Sequence, residues 1–175
     1  MTAAPPYRYC PPCGAPLTAR VLKAGEPARL LCEACGFVFY LNPKVAACAI
    51  PSRDGEVVLL RRGIEPQIGK WVFPGGFVDR GETVQDAAVR ETREEVNLAV
   101  EIDGLVGVYS YPGNEVVVVV YAARIVGGEL RACDECLEVA TFAPEAIPWA
   151  DLAFESTREA LAVYVPRFLA PRGAA

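Results

Sequence analysis

Three glutamates, Glu91, Glu94 and Glu95, fall within five residues of the run from Arg90 to Glu95. An α-helix turns about 100° per residue, so on a helix all three share one face. Glu91 and Glu95 also extend the row begun by Val84 and Ala88, which should face the protein. Like charges at i,i+3 and i,i+4 repel by a few tenths of a kcal/mol per pair. Carboxylates pointing inward cost more, unless a cation meets them. A divalent ion answers that need, and carboxylate oxygens suit hard cations, so Mg2+ or Mn2+ is expected on this helix. The alternative is a solvated charged face, on which Arg90 pairs with Glu94 at i,i+4.

A second set of ligands stands near the start of the chain. Cys10-Pro-Pro-Cys13 and Cys32-Glu-Ala-Cys35 are two C-x2-C knuckles separated by 18 residues, each followed directly by glycine. That spacing suits a four-cysteine zinc ribbon, and glycine lets the chain turn tightly around the metal. Four thiolates close the tetrahedron, so the Zn2+ is expected to be structural and to supply folding energy to a segment with little core of its own. Two disulfides would be the other use of these cysteines, but nothing in the N-terminal sequence suggests an oxidising compartment. Cys48 lies in an apolar run and reads as core. Cys133-Asp-Glu-Cys136 is a third C-x2-C without a fourth pair, and without the strand-then-helix context of a thioredoxin-type site. It reads as two incidental loop cysteines, with redox activity as the alternative.

The chain contains no histidine. That absence excludes a histidine general base, a Ser-His-Asp triad and a His-ligated catalytic zinc.

The segment from Gly76 to Leu98 resembles the signature of the Nudix hydrolases: glycine, five residues, glutamate, seven residues, then Arg-Glu-aliphatic-x-Glu-Glu-x-Gly-aliphatic. Gly76, Glu82, Arg90, Glu91, Glu94, Glu95 and Leu98 stand at the required positions. Thr92 replaces an aliphatic residue and Asn97 replaces glycine, and neither change removes a charge. Asn is the next-best residue where a helix ends in left-handed geometry. The resemblance implies metal binding by Glu91, Glu94 and Glu95, a further ligand from the Gly76 carbonyl, and an ion pair in which Glu82 and Arg90 orient the helix carboxylates. It also implies a general base, either Glu95 or the downstream Glu138. The ribbon, the stretch FVFYLNPKVAACAI and the late stretch IPWADLAFESTREAL extend the likeness to a ribbon-bearing subgroup of dinucleotide pyrophosphatases, with ADP-ribose and FAD among its substrates. Related NADH pyrophosphatases carry Ser-Gln-Pro-Trp-Pro-Phe-Pro after the box, where this chain has Gly107 to Gly113 instead.

These residues need a scaffold. Strands are expected near 44–51, 55–62, 99–110, 114–125 and 137–143, and helices near 83–97 and 155–170. Trp71 to Gly76 reads as a short strand entering a Pro-Gly-Gly turn, and Thr83 with Asp86 as a helix-start capping pair. Strands and helices in this order suggest a mixed sheet with helices on both faces, the α/β/α sandwich that the resemblance also implies. The expected division is a zinc ribbon over residues 1–40 and a Nudix domain over 41–175, with Pro171 to Ala175 as a frayed tail.

Composition bounds the remaining possibilities. The chain has 175 residues, 53% of them apolar, which is enough for one ordinary core beside the ribbon. Its longest apolar stretch, Val116 to Ala123, is too short for a membrane span, and the first ten residues lack an apolar signal core. Together with seven cysteines, an odd number, this suggests a cytoplasmic protein. A net charge of −5 without a dense basic run argues against general nucleic-acid binding, leaving capped RNA ends as the one exception. The expectation is therefore a hydrolase that cleaves the diphosphate of a small nucleotide substrate. Arg62 is the candidate phosphate contact, and Phe39 and Tyr40 are the candidate base contacts. The apolar exit of the ribbon, Phe37 to Tyr40, together with the habit of the resembling subgroup, points to a homodimer. An NADH or NAD-cap pyrophosphatase, a sanitising nucleoside triphosphatase and a ribbon-based binding module on a Nudix scaffold are the alternatives.

Overall fold

The computed structural model describes residues 7–169. The expected tail at 171–175 lies outside them. The chain divides into two compact units, Met1–Pro43 and Lys44–Ala175.

The first unit is a three-stranded antiparallel sheet of β1 (Leu17–Arg20), β2 (Arg29–Cys32) and β3 (Val38–Phe39). Its core is small: Cys10, Leu17, Leu30 and Cys32 are buried, and Ala15 and Phe39 pack against them. A core of this size needs help from a covalent or metal staple.

The second unit is built on a mixed seven-stranded sheet. Its main strands are β4 (Lys44–Arg53), β5 (Glu56–Arg62), β8 (Leu98–Tyr109), β9 (Val116–Gly128) and β10 (Cys136–Phe142), in the order β10-β5-β4-β9-β8. Two short strands, β6 (Trp71–Val72) and β7 (Gly75–Phe77), complete it. The pairing of β4 with β9 is parallel and the others are antiparallel. Consecutive residues from Ala47 to Pro51 are all buried. Successive strand residues point to opposite faces, so β4 is covered on both sides. Helix α1 (Val84–Val96) packs on β4, β7 and β8, and helix α2 (Glu155–Tyr164) packs on β8 and β9. This is the mixed sheet with helices expected from the element order.

The sheet opens between β4 and β5, and that opening positions the site. These two strands pair only at their hairpin end, Ser52 with Val57 and Arg53 with Glu56. The segment from Trp71 to Phe77 fills the gap, first pairing with β5 through Leu60 and Arg61, then crossing to pair with Ala46, Ala47 and Cys48 of β4. Gly75 and Gly76 are therefore strand residues rather than the turn expected from Pro-Gly-Gly. Close packing explains the two glycines. A Cβ at Gly75 would lie against the Cys48 Sγ and 2.7 Å from the Ala47 carbonyl oxygen, and one at Gly76 would run into the Glu91 carboxylate.

Helix α1 begins as expected. Thr83 takes extended geometry and its Oγ1 accepts from the Asp86 N–H at 3.1 Å. Asn97 ends the helix at φ 56°, ψ 32°, the left-handed geometry for which asparagine substitutes for glycine. Thr92, fully buried where an aliphatic residue is usual, donates its hydroxyl to the Ala88 carbonyl at 2.7 Å and so leaves no orphaned polar group. Helix α2 ends at Tyr164 and continues as a π-helical turn over Val165–Leu169, and residue 170 of the expected range lies outside the described residues.

Candidate functional site

Arg90 organises the carboxylates of α1. Its Nε and Nη2 donate to the two oxygens of Glu82 at 2.8 and 3.0 Å, a bidentate pair. Nη1 donates to Glu91 at 2.7 Å and to Glu94 at 3.0 Å, and Nη2 also reaches the Phe77 carbonyl at 3.1 Å. Both uses of Arg90 foreseen from the sequence occur together, the pair with Glu82 and the i,i+4 pair with Glu94. Arg90 and Glu82 are more than half buried, whereas Glu94 is exposed. The guanidinium beside Glu82 holds its carboxyl down to about 2.

Glu95 takes a different partner. Its Oε2 accepts from the Gly75 N–H at 2.8 Å, which ties the end of α1 to the strand filling the sheet gap. Burial pushes its carboxyl up to about 7, partly opposed by that N–H, with the Glu91 and Glu135 charges adding to the rise. Burial likewise raises Glu91 above the ordinary carboxylate range, against the pull of Arg90. Carboxylates already short of solvent are those that gain most from a hard cation. Among the described residues the three carboxylates of α1 do not form one cluster within 4.8 Å as the ribbon thiolates do: Arg90 Nη1 holds Glu91 and Glu94, while the Gly75 N–H holds Glu95.

These groups face a cleft of about 1510 Å3 whose floor is the opened sheet. Ordinary small-ligand sites span roughly 300–1,000 Å3, so this one has room for an extended ligand. Arg62, Gly76, Glu91, Glu94 and Glu95 all line it, joined by Arg90. Its rim comes from the loops after β5, β8 and β9 and from the start of α2. Arg62 is anchored there, with Nε donating to the Pro66 carbonyl at 2.7 Å and the guanidinium 5.1 Å from the Phe154 ring centroid.

Glu138 lies on β10 opposite Arg61, pairs with it at 3.5 Å and is not a lining residue. The lining carboxylates of that region are Asp134 and Glu135, in the loop that precedes β10. Phe39 and Tyr40, the expected base contacts, belong to the first unit. Phe39 is half-buried against Tyr7 and Phe37, and Tyr40 is exposed with Arg29 over its ring. Arg131 and Phe154 line the cleft without having been expected there, and so does Tyr111, which the sequence offers as an aromatic ring near the site. Tyr111 alone carried a signal, as an aromatic residue in the loop after a predicted strand. Its hydroxyl donates to Glu159 at 2.9 Å.

The four ribbon cysteines form one cluster, with all Sγ atoms within 4.8 Å of one another. Cys10 and Cys35 are 3.6 Å apart and Cys13 and Cys32 3.5 Å apart, far beyond a disulfide bond of about 2.05 Å. A tetrahedron with zinc–sulfur bonds of about 2.3 Å has edges of about 3.8 Å, so the cluster fits a four-coordinate thiolate cage. Each knuckle closes through a glycine of positive φ, Gly14 at 73° and Gly36 at 76°, whose N–H donates to the Cys10 or Cys32 carbonyl.

A cleft walled by helix carboxylates on an opened α/β sheet, joined to a small unit with a thiolate cage, defines a two-part α/β protein with two distinct candidate metal sites. The family model described as NUDIX domain matches residues 41–164, and the model described as Nudix N-terminal matches residues 8–41. The chain belongs to the Nudix family. It is 39% identical over 120 residues to an ADP-ribose pyrophosphatase from Methanocaldococcus jannaschii, covering 66% of this chain and 70% of that one. An NAD-capped RNA hydrolase from Pseudomonas fluorescens is 30% identical over 93% of this chain, which spans only 58% of that relative. Among solved structures, a Nudix hydrolase from Nitrosomonas europaea superposes with a TM-score of 0.87 at 36% identity, covering 91% of both chains.

Proposed function

We propose that this chain is a Mg2+- or Mn2+-dependent hydrolase that cleaves the diphosphate of a dinucleotide-type substrate such as ADP-ribose or FAD, releasing AMP and a phosphorylated product. The observation that carries the proposal is one cleft, about 1510 Å3 in volume, lined by Glu91, Glu94, Glu95 and Glu135. Its size favours an ester of two nucleoside or sugar halves over a mononucleotide. The pyrophosphatase name of the archaeal relative supports the same substrate class.

Glu91, Glu94 and Glu95, with the Gly76 carbonyl, are the residues proposed to hold the divalent ion, which when bound would neutralise phosphate oxygens and acidify a water. Glu82 and Arg90 are positioning residues that aim Glu91 and Glu94, and the Gly75 N–H does the same for Glu95. Arg62, which lines the same cleft, is suited to take a phosphate oxygen. A carboxylate must accept the proton of the attacking water, and from the carboxylates that line the cleft we take Glu95 and Glu135, whose charges act on each other, as the candidates. The ribbon, proposed as residues 1–40, would hold Zn2+ structurally. The catalytic domain is proposed as residues 41–175. We further place the protein in the cytoplasm, supported by seven free thiols, and propose a homodimer, supported by the exposure of Phe37, Tyr40 and Leu41. No helix of the described residues is long and apolar enough to cross a membrane.

A second reading, removal of NAD caps from RNA, is favoured by the name of the Pseudomonas relative. The different sequence at Gly107 to Gly113 and the net charge of −5 weigh against it. A product-resolved screen of ADP-ribose, FAD, NADH, NAD-capped RNA and nucleoside triphosphates separates these outcomes. ADP-ribose or FAD should lead, and Arg62→Ala should raise KM more than it lowers kcat. A nucleoside triphosphate cleaved about tenfold more efficiently would overturn the substrate assignment.

A further inference from the structure

The pair Cys133 and Cys136 is the one sequence motif that neither the ribbon nor the hydrolytic site absorbs. It brackets Asp134 and Glu135, two carboxylates on the cleft wall. The two cysteines are the first and last residues of a tight turn, closed by the Cys136 N–H donating to the Cys133 carbonyl at 2.9 Å. Such a turn brings its end Cα atoms within about 7 Å, close to the roughly 4.4–6.8 Å that a disulfide spans. Both thiols are free and only half-buried, and Cys133 lines the cleft. Cys48, which also lines it, is buried and belongs to the core.

The turn is clamped on two sides. Gly63 donates its N–H to the Glu135 carbonyl at 2.8 Å, and a Cβ at Gly63 would sit 2.8 Å from that same oxygen. On the other side the Cys133 N–H donates to the carbonyl of Glu95 at 3.1 Å, and the Cys136 thiol donates to that carbonyl at 3.5 Å. Turn and helix end are thus joined through the backbone of a proposed metal ligand. The Cys133 thiol points elsewhere, to the Arg131 carbonyl at 3.7 Å.

We propose that Cys133 and Cys136 form a reversible disulfide under peroxide, and that this modification shifts the carboxylates at the cleft. A peroxide transfers one oxygen to the Cys133 sulfur, giving a sulfenic acid and one water. The Cys136 sulfur then attacks the sulfenic sulfur, expelling the oxygen as a second water and closing the S–S bond. Two thiols are oxidised and one peroxide is reduced. To close the bond each Sγ turns away from its carbonyl, so the Cys136 contact with Glu95 is lost and Glu135 is held in a small covalent ring. Displacement of either carboxylate lowers turnover, since misplacement by about 1 Å can cost up to roughly 100-fold. A thiol reductant reverses the change.

The effect on turnover rests on the hydrolase assignment, whereas the bond itself does not. The zinc-loaded protein is treated briefly with hydrogen peroxide, alkylated and mapped by peptide mass spectrometry. The peptide holding both cysteines should lose two hydrogens and resist alkylation, and dithiothreitol should restore two alkylation sites while zinc stays bound. Turnover should fall roughly tenfold and recover with dithiothreitol. Turnover of Cys133→Ser and of Cys136→Ser should not respond to peroxide through this route. Full alkylation of both cysteines after treatment, or a bond from either one to Cys48, overturns the proposal. Unchanged turnover in a protein shown to carry the disulfide overturns its effect on the site. If the reduced protein hydrolyses none of the substrates, the hydrolase assignment fails, and the peptide map still decides the modification.

Discussion

Glu135 and Glu138 stand three residues apart and have different surroundings. Glu138 is on β10, where its register opposite Arg61 gives it a cationic partner and turns it away from the cleft. Glu135 is on the cleft wall, close enough to raise the carboxyls of Glu91 and Glu95. If it accepts the water proton or completes the metal shell, Glu135→Gln should lower kcat by roughly 100-fold, whereas Glu138→Gln should stay within about threefold of the parent. Glu95→Gln should be at least as damaging as Glu135→Gln, because it removes the charge of a proposed metal ligand while its amide oxygen can still accept from the Gly75 N–H. These comparisons need steady-state rates at saturating Mg2+ with far-ultraviolet circular dichroism to confirm folding. Equal losses at positions 135 and 138 would contradict the assignment of the loop carboxylate.

The element that most depends on close packing is the bridge from Trp71 to Phe77. It holds the split sheet together by pairing in turn with β5 and β4, and Gly75 touches both Cys48 and Glu95. Neither Gly75 nor Gly76 takes a positive φ, so backbone freedom is not the reason for glycine here. Gly75→Ala should therefore act by steric overlap with β4 and cost about 1–3 kcal/mol of stability, read from urea denaturation. The same change should slow turnover beyond what the stability loss explains, because β7 carries the N–H that fixes Glu95. A Gly75→Ala protein of parental stability would show that the strand can give way, and would remove the packing argument.

Across the whole molecule, the two units have separate cores of unequal size. The cluster of the second unit runs from Ala47 to Tyr164, while that of the first has four buried residues, two of them zinc-site cysteines. Metal loss should therefore be local. Native mass spectrometry should find a dimer with one zinc per chain. A thiol-modifying reagent should release that zinc and expose the amides of β1 and β2 to hydrogen exchange, with β4 and β9 still protected. Cys32→Ser should reproduce this pattern. Loss of protection in both units together would show that the ribbon is needed for the main sheet, and a monomeric mass would remove the homodimer.

The local chemistry was legible in the amino-acid order. The spacing of Glu91, Glu94 and Glu95, the capping residues Thr83 and Asn97, the two knuckles and the periodic strands depend on neighbours a few residues apart, and helix pitch, strand alternation and turn geometry translate such spacing directly into shape. The Arg90–Glu82 pair was visible through the family resemblance. Decisions about which distant segments meet were made by the tertiary structure. It placed Glu135 on the cleft and Glu138 beside Arg61, made Gly75 and Gly76 strand residues, and brought Arg131 and Phe154 to the same rim. Each of those outcomes rests on pairing register or on packing between residues far apart in the chain. A one-residue change of register reverses the face of every side chain in a strand, and no local pattern encodes it.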